Sequence, residues 1–540
     1  MAAAGRDQDI LLKGGLVVDG SGTAPYTANL LIRSGKIARI TPRPVRTAGV
    51  VIDCSSRVVA PGFIDAHSHL DWHVPLKGHD ELKYPFLAQG ITTLVAGASG
   101  LSAAGFRESS TWKEKLQALP AASLLTPQWD SVDDYLQRLE ASGASQNIAL
   151  LVGHGSTRIS IRGFDPSPLH PYEIKELLWL LEHAMEQGAH GVSIGLQYEP
   201  GTHARPEEIR EVALLVKKKG RVLAVHPRAF APTAKGDPLT AVTEAISIAR
   251  TTGVRLQISR LMFSGPRAVH NAEAAVAAID AARKAGVDVG FGVTPYHCAA
   301  TMLAVLLPAW FLARGASGYG DASAVRRLKR ELHTAERRLG FVLADIQVTN
   351  AIDTELAEHN GRLLPDIARL RRMSPVDTLI DLSRRSAGQA RVLVHRTGTD
   401  RIVEMLLRHH ASLYMTDAWV ERFGVQNPAA FAAFPRLLQL SRDHKLLRLE
   451  EAVHKMTGAA AERFGLHGRG TLAEGLPADV TVFDWEAVGD AAGTEKKPKT
   501  GTHAPLAAVP QGIDYVFVNG KKIIGSGKKE NPLNAGIPLR

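Results

Sequence analysis

The chain has 540 residues, of which 45% are hydrophobic and 22% are charged, and its net charge is +10. Single cores usually stop growing at about 250 to 300 residues, so this length predicts one large barrel with an appended domain, or two domains. The composition is that of a soluble globular enzyme and argues against a disordered chain. Lys and Arg are dispersed, and KKPK near residue 496 reads as a solvated loop, so no nucleic-acid partner is expected.

Membrane and export signals are not found in the sequence. No apolar run reaches the roughly 18 residues that a membrane helix needs, and MAAAGRDQDI lacks the charged and apolar regions of a signal peptide. The two cysteines, Cys54 and Cys298, fit a reducing compartment. These features predict a cytoplasmic protein with no membrane partner, and they leave the oligomeric state open.

The two ends of the chain have a similar β-rich character. Residues 8–60 read as short strands separated by Gly and Ser turns, and the same texture returns in ADVTVFDWEAV and IDYVFVNGKKIIGSG. Chain ends of like character often pack together. We therefore predict a small β-sandwich domain formed from residues 1–60 and 471–540.

The segment PGFIDAHSHLD, residues 61 to 71, joins an apolar run to a His-x-His pair. A β-strand directs residues i and i+2 to one side, so His67 and His69 share a face. Neutral imidazole is the commonest metal ligand, which favours a metal site at this strand end. The alternative is a pair of hydrogen-bonded core histidines, and the two-residue motif alone does not decide.

From residue 61 to 470 the sequence alternates between strand and helix patterns. ARPEEIREVALLVKKKG has apolar residues at helical spacing, acidic residues in its first turn, lysines in its last and Gly220 after its end, and strand RVLAVH follows. Repeated units of this kind predict an α/β fold with a parallel sheet, and a TIM-like (β/α)8 barrel is the economical closure. A doubly wound sheet stays possible, although no GxGxxG follows the first strand.

Two segments of the barrel region are harder to assign. Nine candidate strands compete for eight barrel places, and RVLVHR at 391–396 is the doubtful one. The segment near 318–345, with AVRRLKRELHTAERRLG, predicts a charged helical insertion over one face. A solvated surface helix is favoured there over a lid.

Polar and titratable side chains end the apolar runs of this region. Active sites of such barrels lie at the carboxyl ends of the strands, where imidazoles and a carboxylate predict a divalent ion such as zinc. The residues at these ends are His67, His69, Ser99, His154, His226, Arg260, Tyr296 and Asp417. We predict His67, His69, His226 and Asp417 as metal ligands. Other roles remain open for three of these residues. His154 is either a core histidine or a residue that orients a ligand. Tyr296 is alternatively an aromatic residue at the rim, and Asp417 an N-cap of the helix after it.

Several longer stretches carry a family resemblance, including APGFIDAHSHLD, LVGHGSTR, GAHGVSIGLQYEPGTHA, TPYHCAATMLAVLLPAW and RGTLAEGLPADVTVFD. Over nearly its whole length the chain resembles the amidohydrolase superfamily, and within it the N-acyl-D-amino-acid deacylase (D-aminoacylase) group. The resemblance implies a metal-bearing barrel with a small β-sandwich, and hydrolysis of the amide of N-acylated D-amino acids. It also implies that His67, His69 and Asp417 hold one metal, with Asp417 as general base, and that His226 belongs to a second metal position.

Two departures from the family concern the metals. Ser99 stands where the family has the cysteine that bridges the two metals, and Arg260 stands where it has an imidazole of the second metal. A neutral hydroxyl is a poor substitute for a thiolate, and arginine does not ligate because it is always protonated. One ion, most simply zinc, is therefore expected.

Two further departures concern the substrate. The lysine and the arginine with which the family holds the substrate carboxylate are replaced by Met262 and Ala429. This argues against an ordinary N-acyl-D-amino acid, unless Arg260, Arg228 or Arg436 supplies the charge.

Together these observations predict a mononuclear, metal-dependent hydrolase of the amide C–N bond of a small molecule. Asp417 takes the proton from water, Arg260 neutralises the oxyanion or grips an anionic group, and Tyr296 polarises the scissile carbonyl. Two alternatives stay open. One is a homologue that has lost hydrolysis and serves as a binding or assembly protein, and the other is lyase or cyclase chemistry in the same pocket.

Overall fold

The computed structural model describes residues 8–113, 116, 124–228, 238–339, 343–490 and 510–540. Three sheets organise these residues: a parallel barrel, a nine-stranded sheet that contains both ends of the chain, and a three-stranded antiparallel sheet. Within the described ranges, none of the helices combines the length and the apolar character needed to cross a membrane.

The strands are numbered here in chain order. They are β1 (Ile10–Val17), β2 (Tyr26–Arg33), β3 (Lys36–Thr41), β4 (Val50–Asp53), β5 (Val58–Pro61), β6 (Phe63–Ser68), β7 (Ile91–Ala96), β8 (Asn147–Gly153), β9 (Gly191–Gly195), β10 (Val222–His226), β11 (Arg255–Ile258), β12 (Val289–Val293), β13 (Ala299–Met302), β14 (Ile346–Asn350), β15 (Arg391–Val394), β16 (Ser412–Tyr414), β17 (Val480–Phe483), β18 (Ile513–Val518), β19 (Lys521–Gly525), β20 (Lys528–Lys529) and β21 (Pro538–Leu539).

The α-helices are numbered in the same way. They are α1 (Tyr84–Leu87), α2 (Val132–Ser142), α3 (His154–Arg162), α4 (Pro171–Glu186), α5 (Pro206–Lys218), α6 (Pro238–Thr252), α7 (Ala268–Lys284), α8 (Ala309–Leu312), α9 (Ala316–Gly320), α10 (Ala322–Leu339), α11 (Leu364–Leu370), α12 (Pro375–Arg385), α13 (Asp400–Arg408), α14 (Ala429–Asp443), α15 (Leu449–Met456) and α16 (Gly458–Phe464). Short 3₁₀ helices lie at Leu70–Trp72, Asp80–Leu82, Gly201–His203, Leu303–Leu306, Leu343–Asp345 and Thr354–His359.

Eight parallel strands form the barrel, in the order β16-β12-β11-β10-β9-β8-β7-β6. Hydrogen bonds between the two end strands bring them together: the Asp417 N–H donates to the His67 carbonyl at 3.1 Å, and the Thr416 N–H donates to the Asp65 carboxylate at 3.0 Å. The predicted (β/α)8 fold is confirmed. The carboxyl ends of β6 and β16, where the predicted ligands lie, are therefore neighbours.

Helix α5 shows how local sequence sets an element of the barrel. Ile209, Val212 and Val216 recur at helical spacing and are buried, which fixes the face that packs inward. Acidic residues occupy its first turn and lysines its last, matching the helix dipole. Gly220 follows with a φ of 65°, a conformation that glycine adopts without steric cost, and the chain turns directly into β10.

Strands from both ends of the chain share one hydrogen-bonded sheet, in the order β20-β19-β18-β17-β5-β1-β2-β3, with β4 beside β1. The two ends meet where β17 pairs antiparallel with β5. Leu12, Ile32, Val480 and Phe517 belong to one buried cluster of this sheet. The last strand, β21, instead adds to the barrel strand β8.

The doubtful segment RVLVHR lies outside the barrel. Its strand, β15, is the centre of the three-stranded sheet, between β13 and β14. This sheet and the helices between β12 and β16 have their own buried core, which includes Phe311, Leu328 and Leu379. Helix α10 of the charged segment thus buries Leu328 on one face instead of being solvated all round.

A buried carboxylate joins the sheet of the two chain ends to the barrel. Asp479 accepts hydrogen bonds from the Asn147 side chain and the Asn519 N–H, both at 2.8 Å, and forms an ion pair with Arg469. Asp479→Ala removes one partner of a buried pair, so unfolding free energy is expected to fall by about 3 to 5 kcal/mol, measured by chemical denaturation. Glu182→Ala, which breaks exposed pairs with Lys218 and Lys219, is the control and is expected to change stability little. Equal effects of the two variants would contradict the prediction.

Candidate active site

Three predicted ligands converge at the carboxyl ends of β6 and β16. The Asp417 Oδ1 lies 3.3 Å from His67 Nε2 and 3.6 Å from His69 Nε2. One ligand atom from each residue lies within 4.8 Å of the other two. Two imidazoles and a carboxylate held on one side, with the other side facing a cavity, match the donor set of a catalytic zinc site with an open position.

Burial keeps the imidazoles of His67 and His226 in the neutral form that binds metal. Burial lowers the pKa of His67, and it lowers the pKa of His226 to about 3. The His69 ring is held edge-on against the Trp419 ring, with 5.6 Å between centroids. Near pH 7 His67 and His226 are therefore neutral, as ligation requires.

Asp417 divides its two oxygens between different partners. While Oδ1 faces the imidazoles, Oδ2 accepts from Arg260 Nη1 at 2.5 Å. Burial alone raises the pKa of Asp417, but the Arg260 charge and the bonds to His67 and His69 outweigh it, so this pKa lies well below its usual range. Arg260 is also buried, at 4% exposure, and its Nη2 donates to the Cys298 carbonyl at 2.7 Å. Asp417 is consequently ionised and fixed in orientation.

Asp65 ties the two strand ends together behind the ligands. Its carboxylate accepts from the Thr416 hydroxyl at 2.5 Å and from the His67 N–H at 3.2 Å. Burial raises the pKa of Asp65 to about 7, although these hydrogen bonds favour the ionised form. Such outer hydrogen bonds hold ligands in position.

Ser99 lies between the two imidazoles of the predicted first and second metal positions. Its Oγ is 3.3 Å from His67 Nε2 and 3.3 Å from His226 Nδ1. The structure does not bring His226 into the compact group that His67, His69 and Asp417 form. Ser99 and Asp417 have φ angles of 54° and 49°, in the left-handed region that non-glycine residues rarely adopt. Backbone strain of this kind concentrates at functional sites.

Two cavities open beside the ligands. They share Tyr198, Ala300, Thr301 and Asp417, so the ligand cluster lies at their division. We call the first the aromatic lobe, which is also lined by His69, Trp72, Ser99, Leu101, Met302 and Trp419. We call the second the aliphatic lobe, which is also lined by Gln197, His226, Arg260, Met262, Ser264, Ala299, Val305, Leu306, Val394 and Thr397.

Tyr296 and His154 are not brought to these lobes. The Tyr296 hydroxyl donates to Asp490 at 2.8 Å, and Tyr296 lines neither cavity. His154 Nε2 lies 2.7 Å from Glu208, with both side chains buried. The structure therefore does not place Tyr296 where a scissile carbonyl is expected, because a carboxylate outside the lobes holds its hydroxyl.

The two lobes are also lined by residues that were not predicted from the sequence. Tyr198 follows β9 and packs edge-on against His226, with 5.0 Å between ring centroids, and its position after an apolar strand was the available signal. Trp72 and Trp419 lie just beyond the predicted ligands in sequence. Thr301 comes from β13 of the three-stranded sheet, and no local pattern in the sequence indicates that it reaches the site.

A parallel barrel whose strand ends gather imidazoles and a carboxylate is the architecture of metal-dependent barrel hydrolases. The family model described as "Amidohydrolase family" matches residues 50–524. The chain belongs to the amidohydrolase family. The predicted D-aminoacylase-like resemblance is confirmed by the relatives below, which also support a divalent metal.

Relatives in sequence and structure cover nearly the whole chain. A D-aminoacylase of Alcaligenes xylosoxydans xylosoxydans is 31% identical over 520 residues, 95% of this chain and 94% of that protein. The crystal structure of N-acyl-D-glutamate deacylase from Bordetella bronchiseptica, complexed with zinc and a phosphonate inhibitor, has a TM-score of 0.80 at 28% identity and covers 99% of both chains. A D-aminoacylase structure, described by one-metal activation and second-metal attenuation of a binuclear centre, has a TM-score of 0.79 at 28% identity, covering 98% of this chain and 99% of that one.

Proposed function

We propose that this protein is a mononuclear, metal-dependent hydrolase of the amide bond of a small N-acylated molecule, other than a standard N-acyl-D-amino acid. The observation that carries the proposal is the shared carboxylate of Asp417, with one oxygen beside His67 and His69 and the other on Arg260. This arrangement supports ligands for one ion, and Arg260 carries a fixed positive charge at the position that the family resemblance gives to a ligand of a second ion.

The case for a single ion rests on charge and donor type. A cation placed near Arg260 meets a guanidinium that stays protonated, so the two charges repel. Ser99 offers a neutral hydroxyl, a weaker donor than thiolate. His226 is then left as a hydrogen-bond partner of Ser99 at 3.3 Å. The D-aminoacylase relative described by one-metal activation is consistent with chemistry at one ion.

Each residue has a distinct part in hydrolysis. His67, His69 and Asp417 would hold a zinc ion, which when bound would supply Lewis-acid chemistry to water and to the scissile carbonyl. Asp417 accepts the proton from the attacking water and passes it to the leaving nitrogen. Arg260 fixes the Asp417 carboxylate and stabilises negative charge that develops on the carbonyl oxygen. Tyr296 has no part in this proposal, because Asp490 holds its hydroxyl away from the lobes.

The proposed change of substrate follows from two positions that hold uncharged residues. Met262 lines the aliphatic lobe, and Ala429 is buried at the start of α14, so neither supplies a positive charge. Relatives of this chain are a D-aminoacylase and an N-acyl-D-glutamate deacylase. We infer that this chain keeps their amide chemistry and has changed the group recognised beside the amide.

One observation favours a second candidate, a binding protein that has lost hydrolysis. Arg260 holds the pKa of Asp417 well below its usual range, against the opposing effect of burial, which makes Asp417 a weak base. In this alternative the pair is structural and the lobes only bind. Metal content and turnover separate the two candidates, because a structural pair has no need of an ion.

The first test is the ion content of the purified protein. Elemental analysis is expected to find about one zinc per chain, since three donors with an open position form a catalytic site. His69→Ala removes one donor and is expected to lose the ion. His79→Ala is the matched control, because His79 pairs with Glu81 at 3.1 Å outside the cluster. Two ions per chain would refute the single-ion proposal, and none after reconstitution with zinc would favour the binding protein.

A further inference from the structure

We propose that the substrate is uncharged on both sides of the scissile amide. This inference rests on the proposed function and names the class of molecule that fits it. The ligand cluster lies at the division between the two lobes, so an amide held there extends one arm into each. The charges of the residues that line the two lobes determine whether a charged or an uncharged arm binds there.

The aromatic lobe offers an arm no fixed charge of its own. Its lining by described residues is aromatic, apolar or neutral, apart from His69 and Asp417 of the ligand cluster. Trp72 and Trp419 present flat faces that favour a ring or an aliphatic chain. Among the described residues that line this lobe, an acidic arm meets no permanent cation.

The aliphatic lobe contains one permanent cation among its described residues, Arg260, and that cation is already engaged. Its Nη1 bonds Asp417 at 2.5 Å and its Nη2 bonds the Cys298 carbonyl at 2.7 Å. Met262 and Leu306 contribute apolar surface to the same wall. The charge of Arg260 is thus balanced before a substrate enters.

Neutral hydrogen-bonding groups are available in the lobes, besides the Arg260 Nε, which has no hydrogen-bond partner in the described protein. The hydroxyls of Thr301 and Thr397 are buried and have no hydrogen-bond partner in the described protein. Thr301 lies at the division of the lobes, and Thr397 lines the aliphatic lobe. Buried polar atoms are usually satisfied, so a substrate with carbonyl, amide or hydroxyl groups supplies the missing partners.

The other arginines that the sequence offered as carboxylate ligands are held elsewhere. Arg228 donates to the Thr202 carbonyl at 2.9 Å and pairs with Glu244 at 3.3 Å. Arg436 stacks on the Tyr296 ring at 5.0 Å and pairs with Asp490 at 3.5 Å. Neither of them lines either lobe.

Binding of an acidic arm is therefore unfavourable in either of two ways. It loses its water in a lobe whose described lining offers no cation beyond the Arg260 that Asp417 already pairs, or it takes Arg260 from Asp417 and leaves that carboxylate buried with one partner fewer. Removing one partner from a buried ion pair costs several kcal/mol, whereas an uncharged arm breaks no pair. The lobes consequently discriminate against acids by desolvation as well as by the absence of attraction.

The test uses matched pairs of amides that differ in one charge. Each N-acyl-D-amino acid is assayed beside its carboxamide, with the same acyl group and the same chirality, using the zinc-loaded enzyme. The carboxamide is expected to have a kcat/KM at least about tenfold higher, because only the acid disturbs the Arg260 pair. A panel that is turned over with the acids equal or preferred overturns this inference and leaves the amide hydrolase intact. A zinc-loaded enzyme that turns over neither member refutes the proposed function.

One variant is expected to weaken the preference for the carboxamide, and a second variant is its control. Met262→Lys adds a cation to the aliphatic lobe and is expected to raise the acid-to-carboxamide ratio of kcat/KM about tenfold, while Met262→Leu, which adds no charge, keeps the ratio. A ratio that Met262→Lys leaves unchanged contradicts the assignment of this lobe.

Binding measured by calorimetry gives a second readout without turnover. His69→Ala keeps the Arg260–Asp417 pair and is expected to bind the carboxamide more tightly. Asp417→Asn frees Arg260 and is expected to bind the acid more tightly. The same preference in both variants overturns the proposal, because the free charge of Arg260 is what distinguishes them.

Discussion

Replacing Asp417 with asparagine is expected to lower kcat for amide hydrolysis about 10²- to 10⁴-fold, the usual contribution of a positioned general acid or base. Asparagine keeps the shape of the side chain and a carbonyl oxygen beside His67 and His69, but it does not accept a proton. Zinc content is therefore expected to stay near one ion per chain while turnover falls. Steady-state kinetics with the amide that the wild type hydrolyses fastest, paired with elemental analysis, measure both quantities.

The control for this variant is a carboxylate far from the lobes. Asp400 is exposed and pairs with His297 at 2.7 Å, and neither residue lines a lobe, so Asp400→Asn removes the same charge without touching the site. Its kcat is expected to match that of the wild type. Full activity of Asp417→Asn with zinc bound would show that another group takes the proton. A loss of zinc together with activity would assign Asp417 to metal binding and leave its role as a base without support.

The ligand cluster was accessible from sequence because simple geometry governs it. The strand pattern predicts His67 and His69 on one face, and in the structure β6 ends at Ser68 with His69 just beyond it. A closed barrel makes the end of the last strand a neighbour of the first. The hydrogen bond from the Asp417 N–H to the His67 carbonyl joins the ends of these two strands. The boundaries of α5 were equally accessible, since its apolar spacing and the glycine after its end act over a few residues.

Other features depend on partners far along the chain. The direction of Tyr296 is set by Asp490, and the burial of His154 is satisfied by Glu208 from the start of a later helix. Neither partner is visible in the local pattern around these residues. The strand at 391–396 has the apolar composition of a barrel strand, and its pairing with β13 and β14 instead is a matter of tertiary packing. The same long-range packing brings Thr301 into the site.

The double variant Ser99→Cys with Arg260→His is expected to bind two divalent ions per chain instead of one. Ser99 Oγ lies 3.3 Å from both His67 and His226, so a thiolate at this position lies between the existing ligand cluster and an unused imidazole. Replacing Arg260 removes the charge that opposes a second ion and adds a neutral nitrogen donor. Elemental analysis after dialysis against zinc measures the change.

The single variants separate the two causes. Ser99→Cys alone is expected to stay near one ion, because the Arg260 guanidinium, bound to Asp417 at 2.5 Å, still keeps a permanent positive charge beside the ligand cluster. Arg260→His alone lacks the bridging thiolate and is expected to bind a second ion more weakly than the double variant. A double variant that holds one ion would show that His226 is not directed at a second site, and charge and donor loss would no longer explain the single ion. Because burial keeps His226 neutral near pH 7, protonation of that imidazole does not stand in the way of the second ion.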